Sequence, residues 1–501
     1  MMLHLLKPDP MASEALIKST VDGRPDMTNF ELDLFDTRMN TYHTDKQEAK
    51  ECCKNSFVKP SCFPITIVFL FIFLVTIYPI INDDGIDTSV RSYERSGHCT
   101  DQCLWKLLES IPTNMTFAEG SPQHMTTFDG WTHLLGKATK SIDLAVLYWN
   151  LQENTTLYPT SIQGQQIYNL LDSAAKKGLK IRIAQNAPSP FFPQSDSATL
   201  AAHSTVEVRS LNFSNLIGSG VLHTKFWIVD QKDVYIGSAN MDWKSLSEVK
   251  ELGLLLQDCH CLAHDLQKVF SVYWTLGQPH SKIPPKWPLS LRTAFNFEHP
   301  LKLTINNQTS TAFIASSPDK LSPLGRQNDS DAILEVLENA SSYVKIAVMD
   351  YLPTTLYMPH EGNFFWGDID YKIRETAYRG VNIQMLISEW AHSKKEAPAY
   401  LKSLLELNKA GFDGKIEVKI FRVNSTKEQS EIPFARVNHN KYMVTDRHAY
   451  IGTSNWVGDY FLTTAGVSLI VGKDGSDVIV DDLDKVFDRD WNSAYATSLQ
   501  L

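Results

Sequence analysis

The sequence predicts an α/β protein made of two similar lobes, and three observations predict it. A short signature occurs twice: His223-Thr-Lys225-Phe-Trp-Ile-Val-Asp230 leads to Gly237-Ser-Ala-Asn240, and His439-Asn-Lys441-Tyr-Met-Val-Thr-Asp446 leads to Gly452-Thr-Ser-Asn455. Longer segments repeat around it. Trp131–Trp149 and Ile333–Tyr351 each read as a helix entering a strand, and Gly178-Leu-Lys-Ile-Arg-Ile-Ala matches Gly380-Val-Asn-Ile-Gln-Met-Leu at the same offset of 202 residues. Finally, apolar strands alternate with helical stretches throughout, the pattern of α/β architecture. Two such lobes meeting about a pseudo-two-fold axis bring both signatures to one cleft.

Each signature carries phosphodiester chemistry. The residues after each lysine are β-branched or aromatic (Phe226, Trp227, Ile228, Val229; Tyr442, Met443, Val444), so each motif is expected on a buried strand. Alternate residues of a strand share a face, so His223 projects with Lys225 and His439 with Lys441. A lysine holds a phosphate oxygen as a point charge, and a histidine beside it serves as nucleophile or general acid. Asp230 and Asp446 complete the catalytic set and are suited to buttressing the strand and the turn that follows. Asn240 and Asn455 bring side-chain amides toward the phosphate, with Ser238 in support. No metal or cofactor is expected, because the lysines supply the positive charge. A single H-x-K is ordinary noise; two full copies at equivalent places of a repeat are not.

The two halves are not chemically equal. Thr453 stands where the first copy has Ser238. Glu251 follows Asn240 by eleven residues, and the same offset from Asn455 falls on Gly466. The second half also carries about 14 extra residues between Trp390 and His439. The asymmetry suggests one nucleophile and one acid, without saying which histidine is which.

With their flanks, Val221–Trp243 and Val437–Trp456, these motifs resemble the phospholipase D superfamily, and within it the branch of family members 3 and 4. The resemblance runs from about residue 99 to the end. It implies the phospholipase D fold of two α/β-sandwich lobes around a pseudo-two-fold active site. It implies lysosomal 5′-to-3′ exonuclease activity on single-stranded DNA and RNA, and a link to synthesis of bis(monoacylglycero)phosphate. Glu251 matches a family glutamate that can orient a histidine. A degenerate relative in the branch has lost the catalytic set, but this chain keeps both histidines, both lysines and both asparagines. A non-catalytic membrane glycoprotein is thus the weakest reading. Nuclease and phospholipid phosphodiesterase or transphosphatidylase use the same residues, and the sequence does not choose between them.

The frame points to a lumenal enzyme. Phe63–Ile81 carries no charge and is long enough for a membrane-spanning helix. Lys46, Lys50, Lys54 and Lys59 precede it while Asp83, Asp84 and Asp87 follow, which places the N-terminus in the cytosol. The expected organisation is a disordered tail (1–60), a signal anchor (61–82), a stalk (83–110), a first lobe (111–285) and a second lobe (286–501). A proline-rich passage (Pro279, Pro284, Pro285, Pro288) links the lobes. Seven sequons, at Asn114, Asn154, Asn212, Asn307, Asn328, Asn339 and Asn424, all follow the span. The expected location is the endoplasmic reticulum, Golgi and endolysosome, as a type II protein, with release of a soluble form left open.

Four of the seven cysteines follow the span, an even number suited to two disulfides. A Cys259–Cys261 bridge would be strained, so Cys99 and Cys103 are each expected to pair with one of Cys259 and Cys261. Their spacing is poor for zinc. Cys52, Cys53 and Cys62 are candidates for palmitoylation.

The net charge of −10 argues against a long duplex-binding surface. A short pocket on a single-strand end needs no such surface. Trp149, Trp243, Tyr351, Trp390 and Trp456 could stack unpaired bases, although buried tryptophans more often serve packing. The expected partners are a single-stranded nucleic acid or phospholipid substrate, the membrane, and a second copy in a homodimer.

Overall fold

Helix Thr127–Lys137 begins where the Thr126 side chain accepts from the Asp129 N–H, and helix Asp329–Asn339 begins where Asn328 accepts from Ser330. Each delivers the chain into the central strand of its own sheet, so the two halves start alike. The computed structural model describes Phe71 and residues 88–358, 362–472 and 478–501. The expected tail and, apart from Phe71, the membrane run lie outside the described residues. Among the described residues no helix is long and apolar enough to cross a membrane.

The first sheet runs, neighbour to neighbour, His98–Ser110, Glu251–Gln257, Asp233–Gly237, Phe226–Val229, Ser141–Val146, Lys180–Asn186, Val206–Leu211. The second runs Gln308–Ser317, Gly466–Gly472, His448–Gly452, Lys441–Thr445, Tyr343–Val348, Asn382–Ser388, Ile416–Phe421. In both, the first four pairings are antiparallel and the last two are parallel. The repeat in sequence is a repeat of topology. Both sheets read as apolar runs rather than alternating ones because helices cover them, Val478–Trp491 packing on the second as His260–Leu276 packs on the first.

The expected stalk is corrected over its last residues. His98–Ser110 is a strand, not a tether. Its first residues pair in parallel with Leu301–Ile305 of the second sheet, and Leu104–Ser110 pair with Glu251–Gln257 of the first. Every second side chain from Cys103 to Leu107 is buried, which is the half-buried strand period. The disulfides Cys99–Cys261 and Cys103–Cys259 lock this strand to the start of helix His260–Leu276.

One apolar core is continuous across the halves, from Trp105 and Leu254 to Ile346, Val444 and Val486. Where the halves meet, four buried charges interlock. Arg489 bonds Glu109 at 2.6 and 2.9 Å, and Lys250 lies 2.7 Å from Asp490. Residues 85–501 accordingly form one compact unit.

Candidate active site

Each motif histidine is fixed by the opposite half. Leu222 bridges to Ala465, and Asn438 to Lys250. The His223 N–H donates to the Ala465 carbonyl at 2.9 Å, and the His439 N–H donates to the Lys250 carbonyl at 2.8 Å. This exchange is the pseudo-two-fold relation in hydrogen bonds. It places both imidazoles on the wall of one cavity of about 900 Å³.

The side chains complete the exchange differently in the two halves. His439 Nδ1 lies 2.8 Å from Glu251 Oε2, and Glu251 Oε1 accepts from the Ser245 hydroxyl at 2.8 Å. His223 Nδ1 lies 2.9 Å from the Thr453 carbonyl oxygen. A carbonyl only accepts, so Nδ1 of His223 carries a proton, and in the neutral ring Nε2 presents the lone pair. The difference traces to Gly466. A Cβ there would sit 2.1 Å from Ser454 Oγ and 2.9 Å from Ser317 Oγ, so a glutamate in the second half would have to displace these packed serines.

Charge follows geometry. Burial, then Lys225, Lys441 and His439, push the His223 imidazole well below its ordinary value. Burial also lowers His439, but the Glu251 carboxylate opposes it. Burial raises the Glu251 carboxyl, yet His439 and Lys441 outweigh that and hold it below the usual carboxylate value. The ammonium groups of Lys225 and Lys441 are buried and donate back to the carbonyls of His223 and His439. Burial and the neighbouring Lys441 hold Lys225 well below a free lysine. Lys441 is brought down to about 7 by burial, against the pull of Glu251 and Asp350.

The remaining sequence candidates divide into cavity and scaffold. Asn455 lines the cavity, but its amide nitrogen is engaged by Asp350 Oδ2 at 3.0 Å and Tyr460 OH at 3.2 Å. Asn240 is nearly buried, its backbone N–H held by Ser245 Oγ at 3.1 Å. Ser238 accepts from and donates to the backbone of Leu252, next to Glu251, and so sets that strand's position. Asp230 and Asp446 are not brought to the cavity. Asp230 accepts from the N–H groups of Thr139, Lys140 and Ser141, and Asp446 from those of Ser341 and Ser342. Each closes the turn before its central strand, so their place is structural. Strand length explains it, since the residues between lysine and aspartate carry the chain to the sheet's other end.

Of the candidate stacking residues, Trp149, Trp243, Tyr351 and Trp456 are core, each no more than 1% exposed. Only Trp390 reaches the cavity. Sequence reasoning missed Asp350, Tyr460 and the Thr453 carbonyl. Tyr460 packs edge-on to the His223 ring at 4.9 Å. Asp350 stands one residue before the end of the repeated helix–strand segment, where the first copy has Tyr148, and that departure between the copies was the available signal.

Three comparisons bear on this arrangement. The family described as "PLD3/4, PLD-like domain" matches residues 118–426. The chain is 44% identical over 508 residues to "Probable phospholipase D F09G2.8" of Caenorhabditis elegans, covering 96% of this chain and 89% of that one. It is 44% identical over 410 residues to "5'-3' exonuclease PLD3" of Homo sapiens, covering 81% of this chain and 83% of that one. Among solved structures, the phosphatidylserine synthase of Haemophilus influenzae superposes with a TM-score of 0.50 at 12% identity, covering 82% of this chain and 92% of that one, which speaks to the fold alone. The paired motifs, the doubled sheet and these relatives agree: the chain belongs to the PLD3/4 family of phospholipase D-like proteins.

Proposed function

We propose that this chain is a phosphodiesterase working through a phosphohistidine, and that it removes nucleotides from the 5′ end of single-stranded nucleic acid. The observation that carries the chemistry is the unequal pair of histidine partners, a carbonyl for His223 and a carboxylate for His439. The relatives named as 5′-3′ exonucleases support the substrate.

His223, neutral with its lone pair on Nε2, attacks phosphorus in line and forms the P–N bond. His439, whose imidazolium Glu251 stabilises, gives a proton to the leaving oxygen as the P–O bond breaks. His439 then takes a proton from water. The resulting hydroxide attacks phosphorus, and the P–N bond breaks to restore His223. Lys225 and Lys441 stabilise charge on the non-bridging oxygens, which buried cations do far better than solvated ones. The test uses the full-length protein with a 3′-labelled single strand in excess EDTA. Stepwise 5′ shortening, absent in His439→Ala, is the expected result. An intact strand with folded protein would sink the nuclease reading.

A second reading has its own support. Leu147, Phe191, Phe192, Val249 and Met349 line the cavity, an apolar wall that suits acyl chains. The same site with an alcohol in place of water would transfer a phosphatidyl group. Anchoring through 63–81, glycosylation and an endolysosomal lumen belong to this same proposal. The lysine-to-aspartate switch across the uncharged run supports them. So does the position of all seven sequons beyond it.

A further inference from the structure

The extra residues of the second repeat build something the first repeat lacks. They fall in two segments, 389–415 and 422–438, whose shorter counterparts are 187–205 and 212–222. The two segments face each other across a second cavity of about 360 Å³, within the roughly 300–1,000 Å³ range of small-ligand sites. Trp390 and Phe434 line both this cavity and the catalytic one, so the two are contiguous.

Three rings cluster on that shared wall. His392 and Phe434 stack with centroids 4.7 Å apart and planes 17° from parallel, and Trp390 stands edge-on to His392 at 4.7 Å. Despite this contact, Phe434 remains 58% exposed. Its backbone is also held at a φ of 55°, a conformation that bulky residues rarely adopt. Packing does not require this, because the ring is not buried. Strained residues that persist on a cavity wall are concentrated at binding sites. Arg422, which lines the same cavity, is 2.7 Å from Glu389 on the opposite segment and ties the two walls together.

We propose that Phe434, backed by His392 and flanked by Trp390, is a stacking platform for an unpaired nucleobase of the strand whose phosphate sits at His223 and His439. The proposal rests on the nuclease reading. It goes beyond it by assigning the base contact to the second repeat's insertions. An aromatic face accepts any base, so the platform selects single strands over duplex without selecting sequence. Arg422 and Glu389 neutralise each other, so the contact adds grip without a basic surface, consistent with a chain of net charge −10.

The test combines turnover and binding, with oligonucleotides that carry bases throughout or abasic sites at single positions near the 5′ end. Phe434→Ala is expected to lower kcat/KM on base-containing strands about tenfold or more, in keeping with the cost of losing one stacked base. It is expected to leave the rate unchanged on the strand whose abasic site matches the platform. Phe434→Tyr should restore the wild-type ratio. Equilibrium binding of the same strands to full-length His223→Ala, with and without Phe434→Ala, gives a readout independent of cleavage. If the wild type cleaves no strand while base-dependent binding to His223→Ala vanishes with Phe434→Ala, the platform stands and the nuclease is overturned. Stepwise cleavage by the wild type, with equal losses in Phe434→Ala on base-containing and abasic strands, would overturn the platform and keep the nuclease. Loss confined to phospholipid vesicles would assign the rings to lipid and also overturn it.

Discussion

Glu251→Gln isolates the link between the two halves. The side chain is fully buried, with one oxygen on His439 Nδ1 at 2.8 Å and the other on Ser245 Oγ at 2.8 Å. Glutamine preserves the shape and the serine contact but removes the charge. A hydrogen bond to a charged group contributes about 1.5–3 kcal/mol. In a proton-transfer step that converts to a rate loss of about 10- to 150-fold. The sign of the pH effect is fixed as well. Burial lowers His439 and Glu251 opposes it, so removing the carboxylate lowers His439 further. The alkaline limb of the rate profile, which reports loss of the His439 proton, therefore moves to lower pH. The acid limb, which reports protonation of His223, lies well below the ordinary histidine value. The profile is therefore a bell on the acid side of neutrality, and the variant narrows it from the alkaline side. The assay is kcat/KM against pH on a 3′-labelled single strand, with thermal unfolding to confirm the fold. A uniform loss at every pH, or a loss under about threefold, would refute the assignment of His439 as the acid.

Other expected outcomes follow from the same contacts. Lys441, brought down to about 7, stays charged across that acid-side bell, so Lys441→Arg should leave the alkaline limb of kcat/KM against pH where it is wherever the variant retains turnover. Lys250→Met leaves Asp490 and Glu109 sharing Arg489 alone and should destabilise by about 3–5 kcal/mol, read as a fall in denaturant midpoint. Replacing Cys103 and Cys259 together by serine should cost about 2–5 kcal/mol, and reducing agent should then shift the melting temperature less than in the wild type. Glycopeptide mapping should find sugar on the exposed asparagines 114, 154, 212, 307 and 424. Asn328 caps its helix, so Asn328→Gln should cost about 1 kcal/mol whether or not glycan is present.

Much was legible in the chain because the same local problem is solved twice. A period-two motif with β-branched neighbours specifies a strand and a shared face, and a second copy at the equivalent place of a repeat specifies a second sheet. The cysteine pairing was narrowed to two alternatives by spacing, and backbone proximity chose Cys99 with Cys261 and Cys103 with Cys259. The strand His98–Ser110 was missed because charged residues interrupt its apolar alternation, although Cys103, Trp105 and Leu107 carried the signal. Asp230 and Asp446 were grouped with catalysis because sequence motifs do not reveal which end of a strand faces the cleft.

The sequence by itself determined the paired histidine–lysine motifs and the doubled architecture, since both rest on local spacing. Tertiary structure decided which half serves which histidine. Glu251 lies 188 residues from His439 and bonds to it rather than to the histidine of its own half. That partnership depends on the bridges Leu222–Ala465 and Asn438–Lys250, long-range pairings that no local pattern encodes. Gly466 shows the same limit from the other side. Its missing side chain is visible in the sequence, but only the packed serines around it explain why His223 is left with a carbonyl and so remains the neutral member of the pair.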